Sequence, residues 1–103
     1  MKRKKSIPYD IGLIERLKDP EYAAGFLMAC LEEKEGDPEK LFLVALRDVA
    51  KAHGFKVVAE KTKLGRESLY KAISKKGNPK LTTLTAILDA MGLKLTIEPR
   101  KAA

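Results

Sequence analysis

The chain has 103 residues, of which 45% are hydrophobic and 34% are charged, and its net charge is +7. This length and composition indicate one folded domain and exclude a disordered chain. No apolar run approaches the roughly 20 residues that cross a bilayer, and no apolar stretch of a secretory signal follows the basic N-terminus, so we expect a cytosolic protein.

Two helices are predicted in the first half of the chain from a repeated start signal, Asp-Pro-Glu, at residues 19–21 and 37–39. Asp can cap free backbone N–H groups, Pro presets φ in the first turn, and Glu is stabilised by the helix dipole. The helices are predicted over about residues 20–33 and 38–53, with Gly54 as the stop of the second. Helical spacing places on their inward faces Ala24, Leu27, Met28 and Leu31, and then Leu43, Leu46, Val49 and Ala50.

The acidic residues of the chain are concentrated around the first of these helices. Residues 19–40 contain seven acidic and two basic residues, a net charge of −5, which suits a basic partner; alternatively the segment packs on the domain or completes a dimer. Cys30 is interpreted as a small core residue and not as a reactive thiol. His53 ends the second helix, where the dipole favours a cation. One cysteine and one histidine alone cannot form a disulfide or a zinc site.

Two short helices are predicted after Gly54, over about residues 57–62 and 66–75, with a three-residue turn between them. Small or apolar residues occupy the positions at which these helices would pack into a common core, namely Val58, Ala59, Leu64, Leu69 and Ile73. The opposite face of the second helix is polar, and residues 54–80 contain eight Lys or Arg and two Glu, a net charge of +6. An apolar back with a cationic, hydrogen-bonding front is typical of a recognition helix in the DNA major groove. The alternative is an ordinary solvated amphipathic helix.

The last elements are a helix and a strand. Thr82 is predicted to cap a helix over about residues 83–91, ended by Gly92. The following residues alternate between apolar and polar, which predicts one short strand. Because a lone strand cannot satisfy its own backbone, its partner would be residues 7–11 or the same strand of a second subunit.

Several segments resemble the addiction-module antidote proteins, which are antitoxins of type II toxin–antitoxin pairs. The likeness rests on residues 41–50, Arg-Glu-Ser-Leu-Tyr at 66–70, Gly-Asn-Pro at 77–79 and Leu-Thr-Thr-Leu at 81–84, and Tyr9-Asp10 and residues 17–20 resemble the opening of the family. The resemblance implies a mainly α, five-helix Xre/Cro-like (lambda-repressor-like) helix-turn-helix domain with one short C-terminal β-strand. It also implies a homodimer that represses its own operator and silences a small toxin, commonly RelE/ParE-like.

Two residues of the turn depart from the family pattern. The family usually has Gly where this chain has Lys63, and a Ser or Thr cap where it has Gly65. A lysine with positive φ costs about 1–2 kcal/mol; alternatively Gly65 forms the sharp bend, and Gly is only slightly worse than Ser as a cap. The geometry of the turn is therefore left open, whereas the two-helix arrangement is not.

The resemblance also implies roles for individual residues. Contacts to base edges are expected from Arg66, Glu67 and Lys71. Contacts to the DNA backbone are expected from Lys56, Ser68, Tyr70, Lys75, Asn78, Lys80 and the helix start at Thr82, although half-buried packing is an equal alternative for Tyr70. The unpaired backbone of the predicted strand, and not the resemblance, assigns dimerisation to Leu93, Leu95 and Ile97; if the strand pairs with residues 7–11, helical surfaces form the dimer.

The chain is interpreted as one compact unit with three parts. Residues 1–36 form an arm and helix for toxin or dimer contact, residues 37–92 form the DNA-binding domain, and residues 93–103 form the strand and tail. A stand-alone phage or plasmid regulator without a toxin is the alternative function. An enzyme is disfavoured, and no cofactor is expected, because no catalytic set, phosphate loop or metal-ligand spacing occurs.

Overall fold

The computed structural model describes residues 12–101, which contain six helices and no strand. The helices are α1 (Ile14–Arg16), α2 (Pro20–Leu31), α3 (Pro38–His53), α4 (Phe55–Thr62), α5 (Arg66–Ala72) and α6 (Leu81–Ala90). α3 is central, since it packs against α1, α2 and α4, while α4 also contacts α5 and α6. One continuous core joins these elements.

The two Asp-Pro-Glu signals begin helices as predicted. The Asp19 carboxylate accepts a hydrogen bond from the Glu21 N–H at 3.3 Å. The Asp37 carboxylate accepts from the N–H groups of Glu39 and Lys40 at 3.1 and 3.4 Å. α3 also ends where expected, because Gly54 follows it with a φ of 95°, a conformation that a residue with a Cβ rarely adopts.

The predicted inward face of α3 is confirmed, whereas that of α2 is partly wrong. All four predicted residues of α3 are buried. On α2, Leu27 is buried, but the Met28 and Leu31 side chains are 53% and 50% exposed, and Ala23 is buried instead. Apolar residues occur around nearly the whole of α2, and its neighbours cover only part of that surface.

A sixth helix, α1, precedes the five that were predicted. Its flanking residues Leu13 and Leu17 are buried at 4% and 0% exposure, and the Leu17 N–H donates to the Leu13 carbonyl at 2.9 Å. The Arg16 Nε donates to the Tyr22 hydroxyl at 3.1 Å, which joins α1 to α2. Within residues 12–101, no helix is long and apolar enough to cross a membrane.

The start of α6 differs from the prediction, whereas its end agrees with the predicted stop at Gly92. The helix begins at Leu81 after Lys80, which makes no side-chain cap bond, so the predicted cap at Thr82 is wrong. After α6, Gly92 has a φ of 78°, and the Leu93 N–H donates to the Leu88 carbonyl at 2.9 Å, which terminates the helix.

The predicted strand over residues 93–97 is also wrong, because residues 93–101 form neither helix nor strand. Leu93 packs against the core, while Leu95 and Ile97 are 46% and 95% exposed. Alternation of apolar and polar residues makes a strand only where another strand pairs with its backbone, and no described segment does so. The intrachain partner that was considered, residues 7–11, lies outside the described residues.

Candidate nucleic-acid interface

The candidate interface is built on α4, a three-residue turn and α5. The Thr62 hydroxyl donates to the Ala59 carbonyl at 3.1 Å and accepts from the Leu64 N–H at 3.3 Å, which fixes the turn. Lys63 has a φ of 63° and a ψ of 18°, the left-handed conformation in which its strain was expected. Gly65 also has a positive φ, 85°, and begins α5 with no side-chain cap bond.

The inner side of α5 is firmly anchored. Leu69 and Ile73 are fully buried, as is Val58 of α4, and Ala59 is 3% exposed. These positions were predicted to be apolar core, and the prediction is confirmed; Leu64 is half-buried at its edge. Burial on this scale fixes which side of α5 faces solvent.

α5 is shorter than predicted because the chain turns sharply after it. The helix ends at Ala72 instead of Lys75, and the Gly77 N–H donates to the Ser74 carbonyl at 2.8 Å. A Cβ at Gly77 would collide with the carbonyl oxygens of Lys71 and Ala72. Glycine in the Gly-Asn-Pro segment is therefore required by close approach of the backbone to α5.

Tyr70 is half-buried and stacks on a neighbouring helix. The ring centroids of Phe55 and Tyr70 lie 4.4 Å apart at an interplanar angle of 31°. On α3, the Arg47 guanidinium carbon lies 5.9 Å from the Tyr70 ring centroid, within the range of a cation–π contact. Arg47 was not identified from the sequence, because only the fold brings it beside α5. The three side chains together brace α5 against α3 and α4.

The three residues assigned to base contacts, Arg66, Glu67 and Lys71, are all exposed on α5. Arg66 lines a shallow depression together with Lys56, Lys63 and one carboxylate, that of Glu60. The fold thus brings cationic side chains of α4, the turn and α5 to one place.

The residues assigned to phosphate contacts are more dispersed. Lys56, Ser68, Lys75, Lys80 and Thr82 are exposed, and the last three lie in or after the loop that leads to α6. Asn78, in contrast, lines a depression with Phe42 and Leu95, away from the depression at Arg66.

The two residues that were considered for special chemistry, Cys30 and His53, are both partly buried. Burial, and then the carboxylates of Asp48 and Glu33, raise the pKa of the Cys30 thiol, which therefore stays protonated and unreactive at neutral pH. Burial, and then Lys61, lower the pKa of His53. The ring is consequently neutral at pH 7, so the expected attraction of a cation to the helix dipole is absent. In residues 12–101, no group of three His, Cys, Asp or Glu can hold a metal ion.

Comparison with known proteins identifies the family. A family model described as "Probable addiction module antidote protein" matches residues 7–99, nearly the whole chain. The chain belongs to this family. The antidote-family protein is also similar to an uncharacterized protein of Haemophilus influenzae, with 32% identity over 94 residues that cover 91% of this chain and 94% of that protein. No solved structure matches. Membership implies a cognate toxin as a partner of the antidote.

Proposed function

We propose that this antidote-family protein is the antitoxin of a type II toxin–antitoxin module, which represses its own operator as a homodimer and neutralises a RelE/ParE-like toxin. The observation that carries operator binding is the exposed polar face of α5, held on a fully buried apolar back, in a segment with a net charge of +6. Family membership supports the toxin partner, and nothing observed favours the stand-alone regulator. Residues 37–92 are the proposed operator-binding unit.

Direct readout of sequence is assigned to α5. Arg66 can donate two hydrogen bonds to a guanine, and Glu67 can accept from a cytosine amino group or orient Arg66. Lys71 follows Glu67 by one helical turn, so it faces the same groove of the DNA. Lys63 lines the depression beside Arg66 and adds positive charge near this site.

Contacts to phosphates are assigned to the residues around this face, chiefly Lys56, Ser68, Lys75 and Lys80. The start of α6 adds backbone N–H groups near Thr82 that face no cap side chain, and such groups suit an anion. Tyr70 acts mainly through its ring, which braces α5, and Asn78 is the weakest of these assignments because it lines another depression.

Dimerisation is assigned to the segment after α6. One recognition helix covers too few base pairs for useful specificity, and two such helices must lie about 34 Å apart on DNA. Ile97 is 95% exposed, whereas Leu93 already packs on the core of its own chain, so Ile97 and Leu95 are the residues available for a joint. Sedimentation velocity of Ile97→Asp tests this assignment. A variant that remains a dimer would show that the dimer interface lies elsewhere.

The experiment that tests operator binding compares Arg66→Ala with Lys80→Ala on DNA from the promoter of this gene and on random DNA. Arg66→Ala should weaken operator binding by about 1–3 kcal/mol and relax base preference at one position in each half-site. Lys80→Ala should weaken binding to both DNAs alike, because a phosphate contact reads no sequence. If Arg66→Ala changes neither affinity nor preference, α5 is not the recognition helix.

A further inference from the structure

An apolar groove lies between α2, α3 and the segment that follows α6. Two depressions of about 410 and 230 Å³ share Leu31, Phe42 and Leu95 among their lining residues and so form one groove. Its apolar side chains are open to solvent, since Met28, Leu31 and Leu95 are 53%, 50% and 46% exposed. A helix that is apolar on most sides is normally buried, and a cluster of half-exposed large apolar residues marks a surface that another molecule covers.

Acidic residues frame this groove. Glu39, Glu98 and Lys94 line it directly. Along the chain, four more carboxylates follow Leu31, at Glu32, Glu33, Glu35 and Asp37, together with Lys34 and Lys40. None of these six carboxylates forms an ion pair with a cation of residues 12–101. The frame is therefore negative at neutral pH and is not neutralised by the described part of the chain.

We infer that the groove binds a basic polypeptide, namely an amphipathic segment whose apolar side chains enter the groove and whose Lys or Arg residues meet the acidic frame. The inference rests on the proposed function, because it makes the groove the surface through which the antidote contacts its toxin. Charge complementarity of this kind steers association and excludes wrong partners.

A second copy of the chain fits the groove less well. A twofold interface places the same patch of both subunits face to face, so two acidic frames would be brought together and would repel each other. Ile97 lines neither depression, whereas Leu95 lines both, so of the two residues proposed for the dimer interface only Ile97 lies outside the groove.

The test measures the affinity of the full chain for the small basic protein encoded by the adjoining reading frame, and in parallel its affinity for operator DNA. Met28→Gln/Leu31→Gln replaces exposed apolar side chains of the groove with neutral polar ones. Leu81→Gln makes the same change at a side chain that is 65% exposed and outside the groove. We expect the groove variant to lose at least tenfold in toxin affinity with operator affinity unchanged, and the control to keep its toxin affinity.

A second variant, Glu39→Gln/Glu98→Gln, removes the charge of two exposed carboxylates. Because exposed positions tolerate such changes, this variant still tests the groove if the apolar variant unfolds. It should lower toxin affinity several-fold and reduce its salt dependence. Toxin affinity within twofold of wild type in both variants would overturn the groove assignment and leave the proposed function intact. A wild-type chain that does not bind the toxin would overturn both. If the apolar variant instead becomes monomeric, the groove holds a second copy and the inference is wrong.

Discussion

α2 and α5 are alike in having one buried side, but their exposed sides are opposite in chemistry. α5 presents charged residues to solvent, among them Arg66 and Lys71, whereas α2 presents Met28 and Leu31 beside a run of acidic residues. A cationic polar surface is suited to the phosphates and base edges of a nucleic acid, and an apolar surface framed by carboxylates is suited to a basic protein. One small core thus supports two surfaces of unlike chemistry.

The largest expected contrast between these surfaces is their response to salt. Binding of operator DNA releases condensed counterions, and six to ten phosphate contacts correspond to a loss of about 10³–10⁵ in affinity between 50 and 200 mM salt. Binding in the apolar groove should weaken much less over the same range. Fluorescence anisotropy titrations of both partners at several salt concentrations measure this, and an operator affinity that stays flat would contradict the assignment of the basic face.

Truncating a side chain should lower stability much more on the buried side of α5 than on the exposed side of α2. Leu69 is fully buried, so Leu69→Ala should lower the free energy of unfolding by about 2–5 kcal/mol. Met28→Ala is the matched control, and at an exposed position it should change stability by no more than about 0.5 kcal/mol. Urea denaturation of both variants gives the values. Equal losses would mean that Met28 is covered in the free protein, for example by another subunit.

The smallest expected effect is a pH dependence of stability from His53, which is partly buried at the end of α3. Its Nε2 is buried and has no hydrogen-bond partner among the described residues, and burial and Lys61 lower the pKa of the ring. Well above the ordinary histidine pKa of about 6.5, the ring is neutral in both states and contributes nothing to the pH dependence. At a pH below that value the unfolded chain binds a proton that the folded chain takes up only at lower pH, so stability falls as the pH falls.

Thermal melts of the wild type and of His53→Gln at pH 7.5 and 5.5 measure this contribution. The wild type should lose more stability than the variant over that interval, since carboxylates that titrate at lower pH affect both proteins alike. An identical loss in the two proteins would show that the folded and unfolded chains protonate His53 equally.

The predictable parts of the molecule are those that local chemistry determines. The bounds of α3 follow from Asp37, Pro38 and Gly54, which act within a few residues of the helix ends. The left-handed conformation of Lys63 was left open, because either Lys63 or Gly65 could have formed the bend. The family could also be identified from motifs, because these short segments remain contiguous in the chain.

The parts that could not be predicted depend on contacts between distant residues. Periodicity shows which residues of α2 are apolar but not how much of its surface the neighbours cover, so the burial of Met28 and Leu31 was overestimated. Apolar and polar residues alternate near Leu95 and Ile97 and indicated a strand, but this pattern does not show which other strand would pair with it. Arg47 reaches Tyr70 only through the packing of α3 against α4 and α5.

The stacking of Tyr70 gives this protein a natural optical label. The chain has no tryptophan and three tyrosines, and one of these chromophores lies against Phe55 and beneath Arg47. Near-ultraviolet circular dichroism depends on fixed aromatic packing, whereas the far-ultraviolet signal follows backbone helicity. A change in the first without the second would therefore report altered tyrosine packing with the helices intact, and Tyr70 is the tyrosine that lies on α5.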